Sequence, residues 1–500
     1  MQQPTTAQRT AILITMTVTV GTYVLTVTLA NVALPEIQGA FAATQDQITW
    51  VVTSNLLATA VATPLSGWLD ARFGRRRVLL GCAMAFAFAT ALCGLAASLE
   101  QLVVFRAIQG FSGAPLLPLG QAIILEIYPK EQHGRVVLLW SIGVTAGTII
   151  APIAGAFVTD EYSWRWVFLM VVPLAFACVG MIWVFVRPAV VTIGKRALDW
   201  IGFFFLAIAI SAFQLMLDRG ERLDWFDSPE IVLEAAIAVI AIYLFVAHVL
   251  TTDRPFLDLR LLRDRNYSVG LLLGIVFGML YFTTLVLQPT MLQDLRGYPT
   301  TEIGLLQAVR GVGLLGGTFF MLLFLQRVDP RLNLFAGFLA QAVAGFAMAG
   351  FDINMTTWAV AWTTMLQGFG LGLMWSPITV VTFATLAPRH LPEGASVFHL
   401  LRNIGSSIHI ALSATIVIRT ARINYAELVE LLNPFNEAMQ FGTVMGGWDT
   451  ASRAGLAALS GEVARQSAMI GYLNAYYAYG LMAMAVAPLV FLARRPRPAK

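Results

Sequence analysis

The sequence predicts an all-α polytopic membrane protein with fourteen transmembrane helices, arranged as two six-helix bundles and two linker helices. Three observations carry this. Of 500 residues, 58% are hydrophobic and only 12% charged, whereas a soluble domain usually carries about a quarter charged residues. Apolar runs of about 20 residues recur from Ile12 to Leu492, each long enough as a helix to cross about 30 Å of hydrocarbon. Hydrocarbon offers no partner for an open backbone group, so each run must be helical.

In order, the spans lie near 12–34, 48–69, 78–97, 102–127, 136–158, 166–186, 200–217, 231–250, 268–290, 301–325, 332–350, 356–386, 394–418 and 467–492. Residues 1–190 form the first bundle, 191–266 the linker helices with a loop, and 267–500 the second bundle. Ile108-Gln109-Gly110-Phe111 in the fourth span is echoed by Leu366-Gln367-Gly368-Phe369 in the twelfth, the fourth of its block. Arg106 corresponds to Thr364, so any special work of that arginine is expected in one half only. The segment 421–466 is too long for a turn and reads as surface helices or a docking surface.

Basic residues set an orientation. With loops placed alternately, about 21 of the 32 Lys and Arg fall on the side of the termini and about 8 opposite. Both termini are therefore expected in the cytoplasm. The first apolar run is too long for a signal-peptide core and reads as a retained helix. Cys82, Cys93 and Cys178 lie in spans without pairing or metal-type spacing. There is no P-loop pattern and no nucleophile elbow. No enzyme, cofactor, metal or nucleic-acid role is expected; the partners are a small-molecule substrate and the lipid bilayer.

Local motifs narrow the class. Gly67-Trp68-Leu69-Asp70-Ala71-Arg72-Phe73-Gly74-Arg75-Arg76-Arg77 stands between spans two and three. Gly67 lets two helices approach, Asp70 can accept from Arg72 or a helix N-terminus, and Gly74 permits a tight reversal. A basic topology anchor alone would explain the arginines but not the other three. Gly147 to Gly155 in span five combines small residues with Pro152, which removes a backbone donor and is expected to bend the helix; a plain packing face is the simpler alternative.

The loop motif resembles the signature of the major facilitator superfamily, in which such a loop latches two halves in the outward-facing state. Gly147, Pro152 and Gly155 are similar to the glycine-proline signature of its antiporters, which implies export. With Asn31-Val32-Ala33-Leu34-Pro35, Arg106 with Gln109-Gly110, Trp164-Arg165-Trp166-Val167-Phe168 and Pro255 to Arg260, the chain resembles the fourteen-span drug:proton antiporters of the EmrB/QacA type. That resemblance implies the major facilitator fold, export of drugs or amphipathic compounds, and proton coupling. It also implies a periplasmic adaptor and an outer-membrane channel as partners. A dedicated exporter of a fatty acid, siderophore or other metabolite is the alternative.

Three positions depart from the family, and Ala151 and Ala156 stand where its antiporter signature keeps glycines. Thr26 stands where the family keeps a span-one aspartate as a proton site, and no Asp or Glu lies near a helix centre. The intramembrane ionisable residues are Arg106, Arg310, Arg402, His399 and His409, which are functional candidates by default. His399, Arg402, Ser406, His409 and Ser413 alternate by three and four along one helical face. The histidines are expected to handle protons, or the stripe to bind water or substrate. Thr15, Thr19, Thr22 and Thr26 form a second stripe, either self-bonded or a cavity wall. Arg106 needs carbonyls, Asn55 or a substrate anion as acceptor. Tyr281, Gln288, Gln307, Gln367 and Trp375 complete the expected cavity wall.

Overall fold

A computed structural model describes residues 5–186, 197–252, 255–325, 328–432 and 452–494. Every long apolar run is helical, with polar side chains closing the free amides at helix starts. Thr5 and Gln8 make a reciprocal capping box, Asp264 accepts from Tyr267 N–H, and Thr356 accepts from Ala359 N–H. The helices are α1 Thr6–Val32, α2 Leu34–Ala40, α3 Gln45–Ala62, α4 Leu65–Phe73, α5 Arg75–Gly94, α6 Leu99–Gly113, α7 Leu116–Ile127, α8 His133–Glu161, α9 Trp164–Leu169 and α10 Val172–Phe185. The linker pair is α11 Trp200–Arg219 and α12 Pro229–Thr251. There follow α13 Arg265–Arg296, α14 Thr300–Phe320, α15 Pro330–Ala349, α16 Thr357–Phe383, α17 Leu391–Leu431 and α18 Arg453–Val486.

Among the described residues thirteen helices are long and apolar enough to cross a membrane, and fourteen spans result when α3 and α4, bent by 54° at a short break, count as one. The break falls at Pro64, and a second interrupts the fourth span between α6 and α7 at Pro115. Both prolines lack the N–H that an unbroken helix would use. The bend expected at Pro152 does not interrupt its span, since α8 runs through that position as one helix.

The same packing scheme appears twice. Spans one and five (α1 with α8), two and four (α3 with α6) and three and six (α5 with α10) pair in the first half. In the second half α13 pairs with α17, α14 with α16 and α15 with α18. Glycines set these seams. A Cβ on Gly110 would collide with the Asn55 carbonyl, and one on Gly368 with that of Arg310. The halves meet along α8 with α14 and α4 with α17, while α11 lies against α3 and α17. Asp199 ties the linker pair together, accepting from Gly202 N–H at 2.9 Å and Phe256 N–H at 3.1 Å and facing His248 Nε2 at 2.8 Å.

The region 421–466 corrects one expectation. Residues 421–431 and 453–466 are extensions of α17 and α18, not separate surface helices, and 433–451 lie outside the described residues. At 41 residues, α17 is about 60 Å long, roughly twice the hydrocarbon thickness. Tyr425 and Ser460 hydroxyls, 2.9 Å apart, join the two extensions.

Packing of α1 on α8 depends on bare backbone at Gly143 and Gly147, where an added Cβ would meet the carbonyl oxygens of Thr17 and Gly21. Gly143→Val should therefore cost about 1–3 kcal/mol through overpacking. A thermal-shift assay should find its unfolding temperature lowered, while Gly180→Val, with nothing near its Cβ position, stays at the parent value.

Candidate functional site

The loop motif between α4 and α5 lies at the end of the bundle that carries both described chain ends. Gly74 takes φ +81°, a conformation open to glycine, and reverses the chain. Asp70 accepts from Arg75 at 2.8 Å, not from Arg72 or a distant helix terminus as its spacing suggested. Arg75 also pairs with Glu126 at the end of α7, and Arg76 donates to the Trp183 carbonyl at 2.6 Å. Four helices are thereby fastened together. A Cβ on Gly67 would lie 2.9 Å from Glu393 Cα, so α4 crosses α17 in backbone contact. Glu393 in turn accepts from Asp258 N–H at 2.6 Å, which brings the linker loop onto this crossing.

Contacts between the halves continue inward from that end. Lys130 donates to the Ala384 carbonyl and Ser376 to that of Gly134, both at 2.9 Å. Trp140 stacks on Trp375, and His399 Nε2 lies 2.6 Å from Gln121 Oε1. Beyond this layer the halves part around a cavity of about 1120 Å³. Exposed Asn31, Pro35 and Gln293, at the other end of α1 and α13, stand at its mouth. The cavity is thus closed toward the termini and open at the opposite end.

Its walls sort the sequence candidates. Asn55, Arg106, Tyr281, Gln307, Trp375, His399, Arg402 and Ser406 line it. Thr26 does not. The whole threonine stripe bonds to its own helix, with Thr26 Oγ1 on the Thr22 carbonyl at 2.7 Å; the face of α1 toward the cavity carries Tyr23, Val27, Thr28 and Asn31 instead. His409 faces α13, 2.6 Å from Thr283 Oγ1, so the expected stripe on α17 divides after Ser406. Gln109, Gln288, Arg310 and Gln367 are also outside the lining.

Arg106 and Arg310 show how a guanidinium is kept inside. Arg106 donates through Nε to the Val51 carbonyl at 3.2 Å and through Nη1 to Gln109 Oε1 at 2.5 Å. Asn55 does not reach that guanidinium; its amide donates to the Arg106 carbonyl at 2.9 Å. In the other half Arg310 Nε donates to Gln367 Oε1 at 2.7 Å and Nη2 to the Tyr281 carbonyl. Gln367 also bonds Tyr479 at 3.0 Å, and Gln288 bonds Thr364 at 2.5 Å. Since Gly110 abuts Asn55 and Gly368 abuts Arg310, Arg310 occupies the place of Asn55. Each repeated glutamine thus holds a guanidinium, Arg106 on Gln109 and Arg310 on Gln367, supplied from opposite sides of the seam.

Sequence reasoning missed Tyr23, whose ring is slotted against Gly113, and the linker residues Gln214, Asp218 and Glu221, which also line the cavity. Polar groups inside an apolar run were the available signal for Gln214. Among the described residues no group of three or more His, Cys, Asp or Glu could hold a metal ion.

Residues 16–409 match the Major Facilitator Superfamily. The chain belongs to that superfamily. The multidrug export protein EmrB of Escherichia coli K12 is 35% identical over 432 residues, 86% of this chain and 84% of its own. EmrB of Haemophilus influenzae is 31% identical over 491 residues, covering 97% and 96%. The proton:xylose symporter XylE shares the fold, with a TM-score of 0.63 and 14% identity across 97% of this facilitator and 95% of XylE. The facilitator is thus a multi-pass inner-membrane transport protein and not an enzyme.

Closure at the terminus end rests on the bare backbone of Gly67. Gly67→Leu should force α4 from α17 and admit water there. In a Cys82→Ser background, a Ser376→Cys probe should then react with a hydrophilic maleimide several-fold faster than with Gly67 intact.

Proposed function

We propose that this facilitator exports drug-like amphipathic compounds by alternating access, with both termini in the cytoplasm and the cavity as the substrate site. The observation that carries this reading is the cavity itself: a wall whose surface is largely apolar but interspersed with hydroxyl, amide and charged side chains, sealed at one end and open at the other. Such a lining suits hydrophobic and amphipathic cargo. The excess of basic residues on the terminus side supports a cytoplasmic placement of that sealed end. The names of the EmrB relatives and the antiporter-like Gly147, Pro152 and Gly155 support export.

Proton coupling belongs to the same proposal. The cavity carboxylates are Glu36, Asp218 and Glu221, with Glu36 and Glu221 beyond the ends of α1 and α11 and Asp218 accepting from Thr53. Of the two histidines on α17, His399 alone lines the cavity, and it contacts Gln121 across the halves. His399 is therefore assigned the proton exchange, and His409 a structural contact with Thr283. The paired extensions of α17 and α18, carrying exposed Ile423, Leu431 and Leu456, are assigned to a periplasmic adaptor that leads to an outer-membrane channel.

In proteoliposomes with an imposed pH gradient, outward substrate flux should follow the gradient. His399→Ala should flatten that dependence and His409→Ala should retain it. An unchanged pH profile in His399→Ala removes the histidine from coupling, and no flux under any gradient removes proton antiport.

A further inference from the structure

Charge in the cavity is unevenly placed. Arg106 is fully buried, and its Nη2 has no hydrogen-bond partner among the described residues. Arg402, from the opposite half, donates through Nη2 to Asn403 at 2.9 Å and leaves Nε buried and unpartnered. Its guanidinium lies over the rings of Trp375 at 5.7 Å and Phe282 at 5.9 Å. Tyr23 stands within electrostatic reach of both arginines. Neither forms an ion pair among the described residues, although Arg75, Arg219, Arg331 and Arg465 all do.

The carboxylates of the lining do not answer this charge. Asp218 accepts from Thr53 and Glu221 from the Trp225 indole, and neither is ion-paired with Arg106 or Arg402 among the described residues. A guanidinium with an open donor in a low-dielectric site is costly until an anion accepts from it. Arg402, which lines the cavity beside the rings of Trp375 and Phe282, is such a group and makes a receptor for one negative group.

We propose that the facilitator selects organic anions. A sulfonate or carboxylate headgroup accepts from the Arg402 guanidinium, and the apolar body packs on Phe277, Phe282 and Leu285. Cationic amphiphiles are disfavoured at the same place by like charge. This rests on the export reading and adds the charge class and its binding residues.

The test uses the full chain in nanodiscs and proteoliposomes, with anilinonaphthalene sulfonate as the permanently anionic probe and ethidium as the cationic one. Wild type should bind and move the sulfonate in preference to ethidium. Arg402→Gln should weaken sulfonate binding about tenfold, the value of one charge-assisted hydrogen bond, and leave ethidium binding unchanged or tighter. Arg402→Lys, which keeps the charge, should recover part of the loss and excludes simple misfolding. Preference for ethidium, or sulfonate binding indifferent to Arg402→Gln, overturns the assignment. Arg402-dependent binding without transport keeps the anion site and sinks the export reading. Absence of both binding and transport overturns both.

Discussion

Hydrocarbon supplies no hydrogen-bond partner, and each polar group carried into it must find one within the chain. Much of the structure follows from that shortage. Backbone groups are satisfied as helices, and the threonines of α1 return their hydroxyls to their own turns. Arg310 is held by Gln367 and a carbonyl, with Tyr479 and Gln341 completing the set at 2.5 Å. Where satisfaction is incomplete on a cavity wall, chemistry is available: Arg106 Nη2, Arg402 Nε, His399 Nδ1 and Trp375 Nε1 are all buried without partners among the described residues and belong to lining residues.

Features set by composition and by local backbone were legible in the sequence. The fourteen spans, the repeat and the Gly67 to Arg77 turn needed only apolar length, a matched Gln-Gly pair and a glycine at a reversal. Which side of a helix meets the cavity was not legible, because that depends on neighbours far away in the chain. Thr26 and Tyr23 are three positions apart on α1, yet only Tyr23 lines the cavity. His409 shares a predicted face with His399 but is taken up by α13. Arg310 escaped pairing with Arg106 because the two occupy different helices of the repeat. Only the seam between Gly368 and Arg310 reveals the equivalence.

The linker pair also gains a role that its position as a spacer concealed. Asp199 fastens α11 to α12 and to Phe256, and the following loop reaches Glu393 where α4 crosses α17. At its other end α11 contributes Gln214 and Asp218 to the cavity wall. One helix therefore touches both the closed crossing and the open chamber, so a movement of either half must carry it along.

Alternating access requires that the two ends of the bundle answer each other. Spin labels at Ala40 and Glu302 report the open end, and labels at Arg77 and Arg389 the closed one, each pair spanning the two halves at exposed positions. Pulsed electron–electron distance measurements on transporting protein should show the first pair shortening as the second lengthens when substrate and a pH gradient are applied. Both distances staying fixed while flux continues would contradict a rocking transporter built on the Gly67 crossing.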